Sequence, residues 1–434
     1  METFKEVNES FTLLEAITEA KRCLHCKVPS CVKGCPIGND IPGFVHELSK
    51  GNMGNAMSII NEKSNLPAIC GRVCPHEKQC QGNCILNRKG NPIQIGKLER
   101  FAADFDSDMN LIREKLPQKN RGKVAVIGSG PAGLTVAGDL ARAGFNVTIF
   151  ESQREPGGIL MYGIPEYRLP KQIVKKEIQK IEALGVDFRL RCPVGENFTI
   201  DDIFAQGFDA IFIGTGTDLP KKMEIPGEDL AGVMQATHLL HMANVYSDGL
   251  VGRDKVPLKE GEKVAVMGCG NVSIDAARTA IRMGAESVTI VYRRTVKDKP
   301  ANEAEYEAAV KEGVKFLWQI STKEFLGDEE GHVRGIRTTT PEGDMDFEFD
   351  RVYIAIGSQP AKKIVSTTEG IEVDEKGYVI VKDFPAGMTT RKGVFAGGDI
   401  VHRPQTVVLA MKKAKEVAVG IAQYVDAVKL LQES

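Results

Sequence analysis

From residue 123 onward, short apolar runs alternate with amphipathic stretches. KVAVIGSGPAGLTVAGDLARAG followed by NVTIFES reads as strand, helix and strand. The pattern predicts a helix over KQIVKKEIQKIEALG, with Val174, Ile178 and Ile181 on one face and Gly185 as its stop, and the strand DAIFIGTG after it. The same phrase then returns as KVAVMGCGNVSIDAARTAIRMGA, SVTIVYRRT and RVYIAIG. Gly214 follows Gly128, and Gly357 follows Gly268, at near-equal distances, so two related nucleotide-binding units are expected. Before residue 118 there is no strand alternation. TLLEAITEAKRC places Leu13, Leu14 and Ile17 at helical spacing, NAMSIINEK is a short amphipathic piece, and loops of Gly, Pro and Asn separate them. The polar stretch REKLPQKNRGK, residues 113 to 123, reads as a linker.

A chain of 434 residues has room for several cores. Its net charge of −2 gives no electrostatic case for nucleic acid or a membrane surface as partner. No stretch reaches the ~20 apolar residues of a membrane span. The start carries several acids and no continuous apolar core, so no signal peptide and a cytoplasmic location are expected. A reducing compartment disfavours disulfides, which turns attention to the cysteines as metal ligands.

Two glycine motifs follow apolar strands and open helices. In GSGPAG, Gly128, Gly130 and Gly133 permit a tight turn and close approach to a pyrophosphate on the helix N-terminus, and Glu151 ends the next strand where an acid accepts from ribose hydroxyls. In GCGNVS, Gly268, Gly270 and Ser273 form a weaker version with Asn271 beside them. Its following strand ends in Arg293 and Arg294, guanidinium groups suited to a 2′-phosphate, which favours NADPH over NADH. Two units with different ribose chemistry imply two cofactors, a flavin and a nicotinamide. In GVFAGGDI, Gly397, Gly398 and Asp399 form a turn whose carboxylate suits a polyol hydroxyl, ahead of a helix expected from about Thr406 to Tyr424.

Eight of the ten cysteines lie in two quartets, CxxCxxxxCxxxCP at Cys23, Cys26, Cys31 and Cys35, and CxxxCPxxxxCxxxC at Cys70, Cys74, Cys80 and Cys84. Zinc ribbons prefer two separated CxxC pairs, and only Cys23 and Cys26 make one. The Cys35-Pro36 ending is that of ferredoxin-like loops, in which the cysteine before proline ligates the other cluster. A flavin also converts between a hydride donor and one-electron clusters, so iron–sulfur is the favoured reading, with structural zinc and free thiols as alternatives. Cys192 and Cys269 read as small buried hydrophobes, His25 and His76 as local polar contacts, and Trp318 as core.

The ordered set of two cysteine quartets, IQIGKLERF, GSGPAG, GGILMYGIPEYRLPK, GCGNVSIDAART, VYRRT and VFAGGDI resembles the small subunit of bacterial glutamate synthase over essentially the whole chain. It is similar also to the large subunit of the NADH-dependent ferredoxin:NADP oxidoreductase and to the N-terminal half of dihydropyrimidine dehydrogenase. The resemblance implies an α/β protein with two Rossmann-like dinucleotide-binding domains preceded by an α-helical iron–sulfur domain. It places two 4Fe–4S clusters in 1–118, FAD in 119–235 and 349–434, and NADPH in 236–348. It implies that Cys23, Cys26, Cys31 and Cys84 share one cluster, and that Cys35, Cys74, Cys80 and Glu99 share the other, leaving Cys70 spare. FAD would meet Val73, Gly128, Ser129, Gly130, Pro131, Ala132, Glu151, Gly158, Arg168, Gly398, Asp399 and Thr406. NADPH would meet Gly270, Asn271, Val272, Ser273, Arg293 and Arg294, with Ala355 and Gly357 near the nicotinamide. The segment HRPQT, residues 402–406, departs from the small residues that relatives carry there.

The implied activity is electron input: NADPH reduces FAD, and electrons leave through the clusters to a partner, first the glutamate synthase large subunit, which makes glutamate from glutamine and 2-oxoglutarate. Alternatives are a ferredoxin-linked NAD(P) transhydrogenase subunit, a dihydropyrimidine dehydrogenase subunit and, in a different class, a zinc-stapled nucleotide-binding redox sensor.

Overall fold

The computed structural model describes residues 4–109, 111, 116–195, 197–217, 219–340, 343–361 and 363–433. Residues 113–115 of the expected linker lie outside these. Among the described residues six α-helices precede the first strand: α1 Leu13–Lys21, α2 Ser30–Gly34, α3 Ile41–Ser49, α4 Met53–Asn61, α5 Pro67–Val73 and α6 Ile95–Met109. Among the described residues there is no strand before residue 123.

α1 starts where Thr12 and Glu15 cap each other's backbone reciprocally. Its buried face is not the one the leucines suggest: Ala16, Glu19 and Ala20 are buried, whereas Leu14 is 74% exposed and Leu13 is exposed as well. Alanines let the backbones of α1 and α3 come close, and leucines at the same places would hold them apart. Glu19 is accommodated by Arg22, at 2.7 Å, and by the backbone N–H of Gln94, at 2.8 Å. α5 and α6 also approach closely, since a Cβ added at Gly71 would stand 2.6 Å from the backbone nitrogen of Arg100. Around this crossing Arg72 bonds Asp104 and Glu6, and Arg100 pairs with Glu6.

The chain divides into two compact units, one of 162–167 and 219–358 with the chain start, the other of 6–161, 168–218 and 359–434. In the larger, β1 Lys123–Ile127, β2 Asn146–Phe150, β3 Val186–Arg189 and β4 Ala210–Ile213 lie in the order β4, β1, β2, β3. All pair in parallel, and β1 faces β2 from Lys123 opposite Asn146 to Ile127 opposite Phe150. The strand Val394–Ala396 adds to β4, so this sheet draws on chain from both sides of the intervening unit. Helix α7, Pro131–Arg142, crosses from β1 to β2. The helix expected after it spans Lys171–Ala183, buries Val174, Ile178 and Ile181, and is followed by Gly185 at φ 82°. The C-terminal helix, Val407–Glu433, begins one residue later than expected and runs well past Tyr424.

The smaller unit repeats the plan with five parallel strands in the order Val233–Gln235, Arg351–Ile354, Lys263–Met267, Ser287–Tyr292 and Lys315–Trp318. An antiparallel sheet of Ser321–Gly327, Val333–Thr340 and Gly343–Glu348 follows. Trp318, expected in the core, is half-buried: it stacks on Phe316 at 5.2 Å between ring centroids and meets Tyr292 and Tyr306 edge-on. Among the described residues no helix is long and apolar enough to cross a membrane.

Candidate functional site

Cys23, Cys26, Cys31 and Cys84 line one cavity of about 150 Å³, whose remaining wall is almost wholly apolar: Leu24, Val28, Ile41, Val45, Ile93 and Ile95 among others. Cys84 comes from the second sequence quartet and sits with three cysteines of the first. α2 and its preceding loop carry Cys31, and the turn after α1 carries Cys23 and Cys26. Burial pushes the Cys31 thiol up to about 11 and raises Cys23, against hydrogen bonds from the backbone N–H groups of Val32 and His25. Such thiols ionise only when a cation takes the proton's place. Among the described residues no three His, Cys, Asp or Glu side chains converge tightly enough for a single metal ion. The four cysteines border one apolar cavity of about 150 Å³, a space that fits a cluster.

The second set is more interior. Cys70, Cys80 and Glu99 are buried, Cys35 and Cys74 half-buried. Cys35 and Cys80 each feel the charge of Glu99, Cys80 that of Cys35, and Cys74 those of Cys70, Glu99 and Cys80. Burial, with the nearby charge of Glu177, lifts the Glu99 carboxyl to about 8. Cys70 belongs to this group as well, hydrogen-bonded to Cys74. Five donors thus gather where four are needed. His25 is exposed and meets His46 edge-on at 4.9 Å. The ring of His76 instead lies against α6, so close that a Cβ at Gly96 would be 2.3 Å from its Cε1, and its Nε2 is buried with no partner among the described residues.

All residues assigned to a flavin lie in the larger unit. Gly128, at φ 93°, abuts Gly214, and a Cβ at Gly133 would stand 2.0 Å from the Gly128 carbonyl oxygen. Gly130 caps α7 ahead of Pro131, and a Cβ there meets nothing, which leaves open space at the helix N-terminus. Gly158 approaches Gly130, and Gly398 approaches Ala132, so both ends of the flavin-type segment meet at this point. Glu151 accepts from the Ser129 N–H at 2.9 Å and hydroxyl, from the Gln153 N–H at 2.8 Å and from the Ser152 hydroxyl. A ribose hydroxyl would take the place of one of those rotatable serine hydroxyls. Burial lifts the Asp399 carboxyl to about 6 against the Gln405 N–H, and the buried Thr406 Oγ1 has no partner among the described residues. A buried carboxylate and an unpartnered hydroxyl fit a polyol-bearing cofactor. Arg168 is buried, and Val73 ends α5 one position before Cys74.

In the smaller unit Gly268, at φ 111°, abuts the carbonyl of Ala355, so Ala355 and not Gly357 is the counterpart of Gly214. Gly270 caps its helix with open space beside it, as Gly130 does. Ser273 replaces the third glycine by bonding: its hydroxyl accepts from the Gly270 N–H at 3.2 Å and donates to the Ala355 carbonyl at 3.3 Å. Asn271 accepts from the Asn302 N–H at 2.9 Å, and Val272 is partly exposed beside it. Arg293 and Arg294 are exposed and make no ion pair among the described residues, although Asp298 feels the charge of Arg294. Cys269 is buried, and Cys192 is half-buried against an apolar cluster. The sequence spacing pairs Gly214 with Gly128 and Gly357 with Gly268; the first pairing matches the close approach and the second is displaced to Ala355, the small residue that ends the repeated apolar strand.

Residues 1–111 match a family profile described as dihydropyrimidine dehydrogenase domain II, 4Fe–4S cluster, and residues 122–414 match pyridine nucleotide-disulphide oxidoreductase. The chain is 35% identical to the glutamate synthase (NADPH) small chain of Halomonas elongata, over 98% of this chain and 93% of that one. It is 34% identical to the NADP(+)-dependent formate dehydrogenase subunit beta of Moorella thermoacetica, over 91% of this chain and 59% of that protein. Among solved structures, Mycobacterium tuberculosis FprA in complex with NADPH superposes with a TM-score of 0.58 at 17% identity, covering 72% of this chain and 86% of that one, a likeness of fold.

Proposed function

Because this chain belongs to the glutamate synthase small-chain family of oxidoreductases, we propose that it is an electron-input subunit drawing on NADPH. Its acceptor is then a partner subunit, first the glutamate synthase large subunit. When bound, a nicotinamide supplies hydride, a flavin splits it, and two 4Fe–4S clusters pass single electrons. The residues of this chain hold and align. The N-terminus of α7 and Gly130 would hold the flavin pyrophosphate, with Glu151 on its ribose and Asp399 with Thr406 on the polyol. Gly270 and the helix it caps would hold the second pyrophosphate, and Arg293 with Arg294 a 2′-phosphate. Hydride transfer asks for alignment and no obligatory side-chain acid or base, so no catalytic residue is assigned.

The observation that carries the reading is the crossing of Cys84 into the first cysteine set, which leaves Cys35, Cys70, Cys74, Cys80 and Glu99 gathered around the second. That second set adjoins the flavin-type segment through Cys70, whose sulfur touches Met411 at 3.6 Å. Anaerobically purified protein should be brown, its flavin should bleach with NADPH, and with the large subunit it should form glutamate from glutamine and 2-oxoglutarate. Flavin that NADPH leaves oxidised would sink the proposal. The resemblance to a formate dehydrogenase subunit supports a second reading, in which another NADP-linked oxidoreductase is the partner; bleached flavin reoxidised only by such a partner would select it.

A further inference from the structure

The four cysteines of the first set are all partly exposed. The apolar wall around them reaches the surface: Leu24 is 60% exposed and Val28 is 68% exposed, with Ile85 exposed beside them. The two segments that supply these cysteines, 21–35 and 82–91, contain Lys21, Arg22, Lys27, Lys33, Arg88 and Lys89 and not one Asp or Glu, in a chain whose net charge is −2. Arg22 is paired with Glu19. Lys27, Lys33, Arg88 and Lys89 are exposed, and among the described residues they make no ion pair or side-chain hydrogen bond. The nearest flanking acids, Glu19, Asp40 and Glu77, lie outside both segments, and Glu19 is taken up by Arg22. An apolar patch inside an unpaired basic frame is the chemistry of a transient protein interface, in which charge steers the encounter and apolar contact excludes water.

We propose that this face, framed by Leu24, Lys27, Val28, Lys33, Ile85 and Arg88, is the docking surface for a one-electron acceptor protein. Such a partner carries its redox centre in an apolar patch ringed by carboxylates. The proposal rests on the electron-input reading and specifies its exit. One NADPH and two oxidised carriers give NADP⁺, one H⁺ and two reduced carriers, so two one-electron transfers cross this face for each NADPH, and a diffusible carrier would be met twice, as charge-steered complexes allow. A two-fold contact of this face with the same face of a second copy would bring cation against cation and is disfavoured by the same charge.

The full-length holoprotein should be titrated with oxidised plant-type 2Fe–2S ferredoxin, an acidic probe, by fluorescence-detected binding. Raising salt from about 0.02 to about 0.2 M should weaken binding about tenfold or more. The K27E/K33E/R88E variant, checked for unchanged iron content and visible spectrum, should weaken it comparably at low salt, whereas K311E/K376E/K392E should not. Basic cytochrome c should respond to the first variant in the opposite sense. If that variant loses iron, the R88E/K89E pair, beyond the last cysteine, is read in its place. Equal effects of both triple variants, binding indifferent to the reversals, or a DNA duplex bound as tightly as the ferredoxin would each overturn the proposal. So would a shifted reduction potential with unchanged binding, which would make the cations mere counter-charges. Binding of oxidised proteins needs no NADPH, so failure here is distinct from failure of the electron-input reading, which shows as unbleached flavin.

Discussion

The Sγ of Cys70 lies 3.6 Å from the Sδ of Met411, joining α5 to the C-terminal helix. The same thiol is hydrogen-bonded to Cys74. Cys70 is thus held by two sulfur neighbours beside the second cysteine set, where it competes with Glu99 for the fourth place. We expect Cys70→Ala to keep the full iron content and Glu99→Ala to remove or alter one cluster, read by iron assay and low-temperature electron paramagnetic resonance. The opposite pattern would make Cys70 the ligand.

The elements that repeat were legible in the sequence because parallel strands buried on both faces read as continuous apolar runs, and glycines mark their turns. KVAVI and KVAVM both became central strands. The helical region was less legible. Leu13 and Leu14 suggested the buried face of α1, but Ala16 and Ala20 occupy it, because the tightness of a helix contact is set by the smallest side chains and periodicity does not weigh size. The cavity shared by Cys23, Cys26, Cys31 and Cys84 could not come from spacing at all. More than fifty residues separate Cys31 from Cys84, and only the return of the chain through α3 to α5 brings them together.

Arg293 and Arg294 should set the preference between nicotinamide cofactors. Both are exposed and free of ion pairs among the described residues, so a 2′-phosphate would meet them without displacing a carboxylate. Replacing both with Ala should lower kcat/KM for NADPH by about 10- to 100-fold, the worth of hydrogen bonds to a charged group of about 1.5–3 kcal/mol, and leave NADH nearly unchanged. A parallel loss with both cofactors would assign the arginines to folding.

Acid stability should depend on Glu312. Burial works against its charge, but hydrogen bonds from Arg282 and Arg278 prevail and hold its carboxyl at about 2. Arg278 is buried, at 2.8 Å from Glu312, and also bonds Glu305. A carboxylate whose folded value lies below its ordinary one stabilises fully above pH ~4.5 and loses that contribution as pH falls toward 2. Glu312→Gln should therefore destabilise the smaller unit by about 1.5–3 kcal/mol at pH 7, since it removes one of the two carboxylates that hold buried Arg278 and leaves Glu305 as its remaining charged partner. Its melting temperature should fall less steeply than the parent's between pH 4.5 and 3. Melting curves of equal acid sensitivity would remove Glu312 from this role.

The approach of α5 to α6 is the last point open to test, and it separates packing from ligation. A Cβ at Gly71 would lie 2.6 Å from the Arg100 nitrogen and 2.8 Å from its Cα, and backbone atoms in a helix cannot turn aside as a side chain does. Gly71→Ala must push apart the two helices that carry Cys70 and Glu99, while altering no candidate ligand. The cost of such overpacking is about 1–3 kcal/mol. Gly54→Ala in α4 is the matched control, because nothing lies within 4 Å of a Cβ there. It should be neutral or stabilising by up to about 1 kcal/mol. We expect Gly71→Ala to lower the iron-to-protein ratio while the flavin content holds, because the donors gathered around Glu99 depend on the spacing of α5 and α6. Equal iron content in both variants would show that the cysteines find their positions without that contact.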